Sequence, residues 1–480
     1  MKTLALNPTD ENILSTYLSD SLGRNKDIFY FVNILNSLEG SYSISLDGKW
    51  GSGKTFFVKQ TKMVLEANNE FAESMTQDKR QKIKEKQYSF FDADETLIPQ
   101  VCVYYDAWEN DSDEDPMLSL VYSIMQTVST DYTFKERNYL KAGTAILELI
   151  GKQKWGNIIG SIKSGVSILE HLSGLDWEKI VEGLRGENPL EALEKNKSLS
   201  EKINEFLDSL LPEKGNRLVI FVDELDRCSP SYAVRLLERI KHYFSNERIT
   251  FVFSVNISEL QYTIKKYYGH DFDGARYLDR FFDLRVQIPK IDLSRYYSQL
   301  NFSAREYTWS LMCDAMIRIY GMELREISRY LQLYHLAIGN HLERLEKAGR
   351  SLAHPTWYYC LMYVAPIMIA LKIVDPQKYD DFIEGKDCSP LLKASSYLLV
   401  GFFSDLLGYD ESYEAVPQRP EIKVVTKEEK LQAMYEALFV TDYNLDIESK
   451  RIGKTRFGKD SRDLVMGVVS LLSQYARYDD

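Results

Sequence analysis

The run YSISLDGKWGSGKTFF, Tyr42 to Phe57, puts an apolar strand, a glycine-rich turn and the start of a helix in immediate succession. Tyr42 to Leu46 has the character of a buried strand, and from Phe56 onward FFVKQTKMVLEANNEF carries apolar residues at helical spacing. The glycines of Gly48-Lys49-Trp50-Gly51-Ser52-Gly53-Lys54-Thr55 let the backbone curl until several N–H groups point inward, and the helix that follows adds the positive end of its dipole. Such a turn cradles phosphate. Lys54 is placed to bridge the β- and γ-phosphates of a nucleoside triphosphate, and the Thr55 hydroxyl to ligate Mg²⁺. Gly48, Trp50, Gly51, Ser52, Gly53, Lys54, Thr55 and Phe56 are therefore the candidate nucleotide contacts.

Working outward, 480 residues with 59 basic and 71 acidic side chains give a net charge of −12. That balance does not favour a nucleic-acid partner, and the length allows two to four domains by the rough rule of one per 100 to 200 residues. The five cysteines are scattered and odd in number, which suits a reducing cytosol without disulfides. The start, MKTLALNPTDENIL, has too short an apolar patch for a signal peptide, so a cytoplasmic location is expected. Trp357 to Val374 (WYYCLMYVAPIMIALKIV) is the most membrane-like segment. It is slightly short for a span of about 20 residues and reads as a buried core helix.

Helical spacing covers Thr16 to Leu22 and Ile28 to Leu38, and Glu73 to Gln87 is a strongly polar tract, an exposed helix or a loop. Val101 to Tyr105 (VCVYY) reads as a second buried strand, with Trp108 in the acidic turn after it and Pro116 opening the next helix. Residues of about 131–215 look like a helical insertion with charges spread through it, placed to act as a lid or docking surface.

A second chemical stretch is Arg217 to Arg227, RLVIFVDELDR. Leu218 to Val222 is apolar throughout, as in a strand buried on both faces of a parallel sheet, and ligands of such sheets bind beyond the carboxyl ends of the strands. Asp223 at that end suits the Mg²⁺ shell, and Glu224 suits a general base for the attacking water. A third strand, Arg248 to Val255, ends at Asn256, whose amide is read either as holding the attacking water or sensing the γ-phosphate, or as a helix N-cap. Arg280, just before the strand-like Leu284 to Ile288, is read either as an arginine finger in cis or in trans or as a surface ion-pair residue. Beyond Pro289 the pattern turns helical. Arg325 and Arg329 lie four apart on one helix face, where they either reach a γ-phosphate or remain solvated. GKTRFGK, Gly453 to Lys459, lacks the first glycine and is expected to follow no strand, so it is set aside as a second nucleotide site.

Together DGKWGSGKTFF, YYDAWEND, VIFVDELDRCSP with its Asp226, Arg227 and Cys228, VFSVN and YLDRFFDLRVQIP resemble, in order and spacing, the motif set of the KAP family of P-loop NTPases. These belong to the additional-strand class, close to the signal-transducing switch ATPases. The resemblance covers roughly Asp27 to Pro289. It implies an α/β nucleotide domain over residues 1–290, with a mainly parallel sheet and a helical insertion between the phosphate loop and the acidic strand, followed by an all-α region over 291–480. It implies ATP binding and Mg²⁺-dependent hydrolysis, with the helical region communicating the nucleotide state to a protein partner or a second copy. Several bacterial relatives act in phage exclusion or defence. Family members commonly carry membrane helices in the insertion, which this insertion does not resemble. Two other readings use the same loop: a nucleotide-dependent switch or scaffold that controls assembly, and a small-molecule kinase, disfavoured because Glu224 beside Asp223 favours water as acceptor.

Overall fold

Five stretches become the strands β1 (Tyr42–Asp47), β2 (Gln100–Asp106), β3 (Arg217–Asp223), β4 (Ile249–Val255) and β5 (Leu284–Gln287). They form one sheet in the order β2-β3-β4-β1-β5, parallel at every pairing. The computed structural model describes residues 7–90, 97–113, 115–132, 201–211, 217–244, 246–300, 302, 308–339, 355–397, 411–413, 422–424, 426–443, 449–452 and 455–470. The chain divides into two units, Pro8–Leu293 and a second from Ser294 onward. The predicted insertion over 131–215 lies outside the described residues apart from its edges and a helix over 201–210.

A parallel sheet needs helices on its faces, because each connection must return the chain to the amino-terminal edge. In the first unit the helices are α1 (Asp10–Ser19), α2 (Asn25–Ser37), α3 (Lys54–Ala67), α4 (Gln77–Tyr88), α5 (Pro116–Asp131), α6 (201–210), α7 (Pro230–Tyr243), α8 (Ile257–Tyr268) and α9 (Gly274–Leu278). Covered in this way, β3 and β4 are buried at every position. β5, at the edge, alternates half-buried and exposed residues.

Two local devices set helix ends that apolar spacing alone misplaces. α1 begins at Asp10 because the Thr9 side chain accepts from the Asn12 N–H and Asp10 and Glu11 face the dipole, and it stops at Asp20 in the left-handed region, φ 50°. The polar tract after α3 is α4, capped by Thr76. Its Arg80 is more than a solvated charge: the guanidinium donates to the carbonyl oxygens of Glu66, Ala67, Asn69 and Ala72 at 2.6–3.1 Å. These carbonyls lie at and beyond the end of α3, where intrahelical partners run out; Glu66 O and Asn69 O also accept from the N–H groups of Asn69 and Ala72.

The second unit is mainly helical, but it is not all-α. Two antiparallel hairpins interrupt it, β6 (Glu411–Tyr413) with β7 (Ile422–Val424) and β8 (Ser449–Ile452) with β9 (Thr455–Gly458). In β9, Thr455 and Phe457 are buried while Arg456 between them is exposed, a period of two too short to stand out beside helical spacing. GKTRFGK therefore does follow a strand, as the second arm of a hairpin. The apolar stretch Thr356–Val374 is long and apolar enough to cross a membrane, and 72% of it is buried inside the protein. A π-turn at Cys360–Val364 precedes Pro366, whose missing N–H would interrupt a regular helical ladder there.

Arg80→Ala should destabilise the first unit by about 2 kcal/mol, the scale of charge-assisted hydrogen bonds lost from partly buried carbonyls. Urea unfolding read by circular dichroism would measure it.

Candidate functional site

The phosphate loop lies between β1 and α3, and its shape follows from close approach. A Cβ on Gly48 would stand 2.4 Å from Ile288 Cγ2 and 2.9 Å from Ser52 Oγ. Gly51 and Gly53 have φ of 81° and 87°, where L side chains are strained. The loop is tied down on both sides. Gly48 N–H donates to Val255 O of β4 at 3.1 Å, and the buried Arg24 guanidinium donates to Ser52 O at 2.9 Å. Asp47, the last residue of β1, accepts from the Ile257 N–H that opens α8 at 2.9 Å and from Gln287 Nε2 of β5 at 2.7 Å.

Lys54 is buried, and its ammonium donates to Gly48 O at 2.8 Å and Lys49 O at 3.3 Å, directly beneath the loop. The Thr55 hydroxyl donates to Asp223 Oδ2 at 2.7 Å, and the Tyr104 hydroxyl to the same oxygen at 3.0 Å. Asp223 is fully buried at the carboxyl end of β3. Phe56 points its side chain into the core, so only its backbone, in the first turn of α3, is available to a ligand.

Glu224 follows with φ 60°, an uncommon backbone conformation for a non-glycine residue and one that clusters at functional sites. Its carboxylate pairs with Arg227 Nε at 2.6 Å. Burial, together with the charge of Asp223, pushes the Glu224 carboxyl up to about 7, against the pull of Arg227 and Lys54. Asp226 accepts from Trp50 Nε1 at 2.5 Å. Burial raises its pKa, while Lys54, Trp50 and the backbone N–H of Asn256 pull it down. The indole thus fastens the tip of the phosphate loop to the turn after β3.

Most predicted site residues are gathered here: Gly48 to Thr55, Asp223 and Glu224. Asn256 is at the N-cap position of α8, but its side chain makes no capping hydrogen bond. Arg280 is not brought to the cradle. β5 runs parallel to β1, with Ile44 opposite Leu284 and Asp47 opposite Gln287. Asp283 bonds to Ser43 at the start of β1. Residues preceding β5 therefore stand at the amino-terminal edge of the sheet, opposite the phosphate loop, and Arg280 is exposed in the turn there. Its predicted role as a finger in cis is thereby overturned. Arg325 belongs to the second unit, exposed together with Arg329 on Leu324–Tyr334.

Arg24, Asp47 and Tyr104 had escaped the sequence reading. Arg24 and Tyr104 act through contacts distant in sequence. Asp47 carried a signal, a carboxylate as the last strand residue before the glycine turn.

A triphosphate with Mg²⁺ fits these residues. Ser52 Oγ is buried at the loop without a hydrogen-bond partner, and the Thr55 hydroxyl and Asp223 carboxylate form a hard oxygen pair of the kind Mg²⁺ takes. Fold and site define a P-loop NTPase of the additional-strand kind, since β4 lies between the strand of the phosphate loop and the acidic strand. Residues 25–309 match the KAP family P-loop domain, and the chain belongs to that family. It is also similar to an uncharacterized protein of Methanocaldococcus jannaschii, 27% identical over 165 residues, which is 30% of this chain and 84% of that protein.

Gly48→Ala should strain the loop by about 1–3 kcal/mol through overpacking. Isothermal titration with ATP should register weakened binding or none.

Proposed function

We propose that this protein binds ATP with Mg²⁺ and hydrolyses it, and that the nucleotide state is passed to the residues beyond Leu293 and through them to a protein partner or a second copy. The observation that carries this is the meeting of Thr55, Asp223 and Glu224 at one end of the sheet above Lys54. The backbone N–H groups of the loop and the Lys54 ammonium hold the β- and γ-phosphates. Thr55 and Asp223 would hold Mg²⁺, which when bound neutralises charge on the phosphate oxygens. Glu224 orients a water against the γ-phosphorus and takes its proton as the bond to the ADP oxygen breaks, releasing ADP and inorganic phosphate. Two neighbouring carboxylates with different environments support this division of labour: Asp223 engaged by hydroxyl donors, and Glu224 raised to about 7, close to working pH.

Asn256, whose side chain makes no capping bond, is retained as a candidate γ-phosphate sensor. Arg325 is assigned the same role from the second unit, and Arg280 one only in trans. A cytoplasmic setting is inferred from the scattered, odd-numbered cysteines, and a part in phage defence from the sequence resemblance.

Phosphate release should be abolished in Lys54→Ala together with tight ATP binding. In Glu224→Gln it should fall by about a hundredfold or more with binding retained, the scale of a lost general base. Equal turnover by wild type and both variants would overturn the assignment.

A further inference from the structure

Trp108 is 55% exposed, an unusual position for so large an apolar surface. A guanidinium lies over it: the Arg227 guanidinium carbon is 5.4 Å from the centre of the indole, within cation–π range. The same guanidinium pairs through Nε with Glu224 Oε2 at 2.6 Å, and both side chains are largely covered, with 22% and 16% of their surface exposed. Glu224 is thus linked through Arg227 to an aromatic on a different strand connection.

The backbone holds both ends of this chain of contacts. Leu225–Arg227 is a single 3₁₀ turn in which Arg227 N–H donates to Glu224 O at 3.0 Å, so the two side chains, three residues apart, lie on one side of it. The turn bearing Trp108 is fixed by Asp106 Oδ1, which accepts from the N–H groups of Trp108 and Glu109 at 3.1 Å each. Three residues further on, Asp111 Oδ1 accepts from Ser229 N–H at 3.0 Å and Ser229 Oγ at 2.8 Å, two residues past Arg227. The loops after β2 and β3 are therefore joined by Asp111 and Ser229 on one side of this pair and by the Ala107 N–H, which donates to Asp223 O at 3.0 Å, on the other.

We propose that Arg227, braced on Trp108, is the positioning residue for Glu224, setting the direction in which its carboxylate faces the attacking water; this rests on the reading of Glu224 as the base. Pairing one carboxylate oxygen with a rigid guanidinium removes side-chain freedom that a glutamate with φ 60° would otherwise keep. A small loss of alignment at a base is costly to rate and leaves substrate affinity nearly untouched. The arginine guanidinium supplies both contacts at once, to the carboxylate through Nε and to the indole as a cation over the ring, and lysine supplies only a point charge.

The test is single-turnover phosphate release, with binding of a non-hydrolysable ATP analogue measured alongside. Arg227→Ala should lower the rate about tenfold or more while analogue affinity stays within about threefold. Arg227→Lys should recover only part of that loss. Trp108→Ala, a surface change that leaves the core intact, should lower the rate in the same direction, and Trp108→Phe should restore most of it. In the Glu224→Gln background, Arg227→Ala should cost nothing further, because the group it positions is already disabled. Wild-type turnover by Arg227→Ala, or an equal loss in both backgrounds, overturns the proposal. Wild-type turnover by Glu224→Gln removes the base reading itself and the proposal with it, an outcome distinct from the other two.

Discussion

The hydrogen bond from Thr55 to Asp223 crosses a strand, and the arrangement of the first unit depends on it. β1 and β3 are not neighbours. With β4 between them their backbones are about 10 Å apart, twice the usual strand spacing. A threonine side chain reaches the carboxylate only because α3 starts beyond the end of β1, over the carboxyl edge of the sheet, and because β3 ends in a residue whose acidic side chain points back toward it. Register does the rest: Asp47 is opposite Val255 and Asp223 is opposite Ser254, so the three strand ends come out within one residue of one another. The Gly48 N–H bonded to Val255 O closes the gap from the loop side.

Around that contact the site is built as two linked layers. One is the phosphate loop, braced from below by Arg24 at Ser52 and from the sides by Asp47 at α8 and β5. The other is the short turn after β3, which spends each of its polar residues on a different neighbour: Glu224 on Arg227, Asp226 on Trp50, and Arg227 on Trp108 as well. Trp50 joins the layers. A change in the position of the loop tip is thus felt at Asp226, two residues from the proposed base, without passing through the sheet.

Much of this was legible in the sequence. Residues 42–57 carried the strand, the turn and the helix in one run, and the apolar runs ending at Asp106, Asp223 and Val255 marked buried parallel strands because no alternation was present. Strand order was not legible, since nothing local in VCVYY or RITFVFSV states which neighbour it will pair with. Arg280 was misplaced for a related reason: proximity to a strand in sequence does not say at which end of the sheet the residue will stand, and a parallel partner reverses the answer an antiparallel one would give. The link between Trp50 and Asp226 joins residues far apart in the chain, so neither predicts the other. The β8–β9 hairpin was hidden by its brevity, with four-residue arms set in helical surroundings.

The sheet order also dictates when the site can exist during synthesis. β1 has no partner near it in sequence: Tyr42 pairs with Thr250, and the partner on its other side begins at Leu284. A nascent chain that has already produced the phosphate loop and α3 has nothing to hold β1 in extended form until β4 emerges, and non-local pairing of this kind is the slow part of folding. The glycine turn, translated well before β4 and β5, is therefore among the last parts of the first unit to acquire its shape. Nucleotide can capture the loop only after the acidic strand and its neighbour are in place, so ligand binding seals a finished sheet and cannot template an early one.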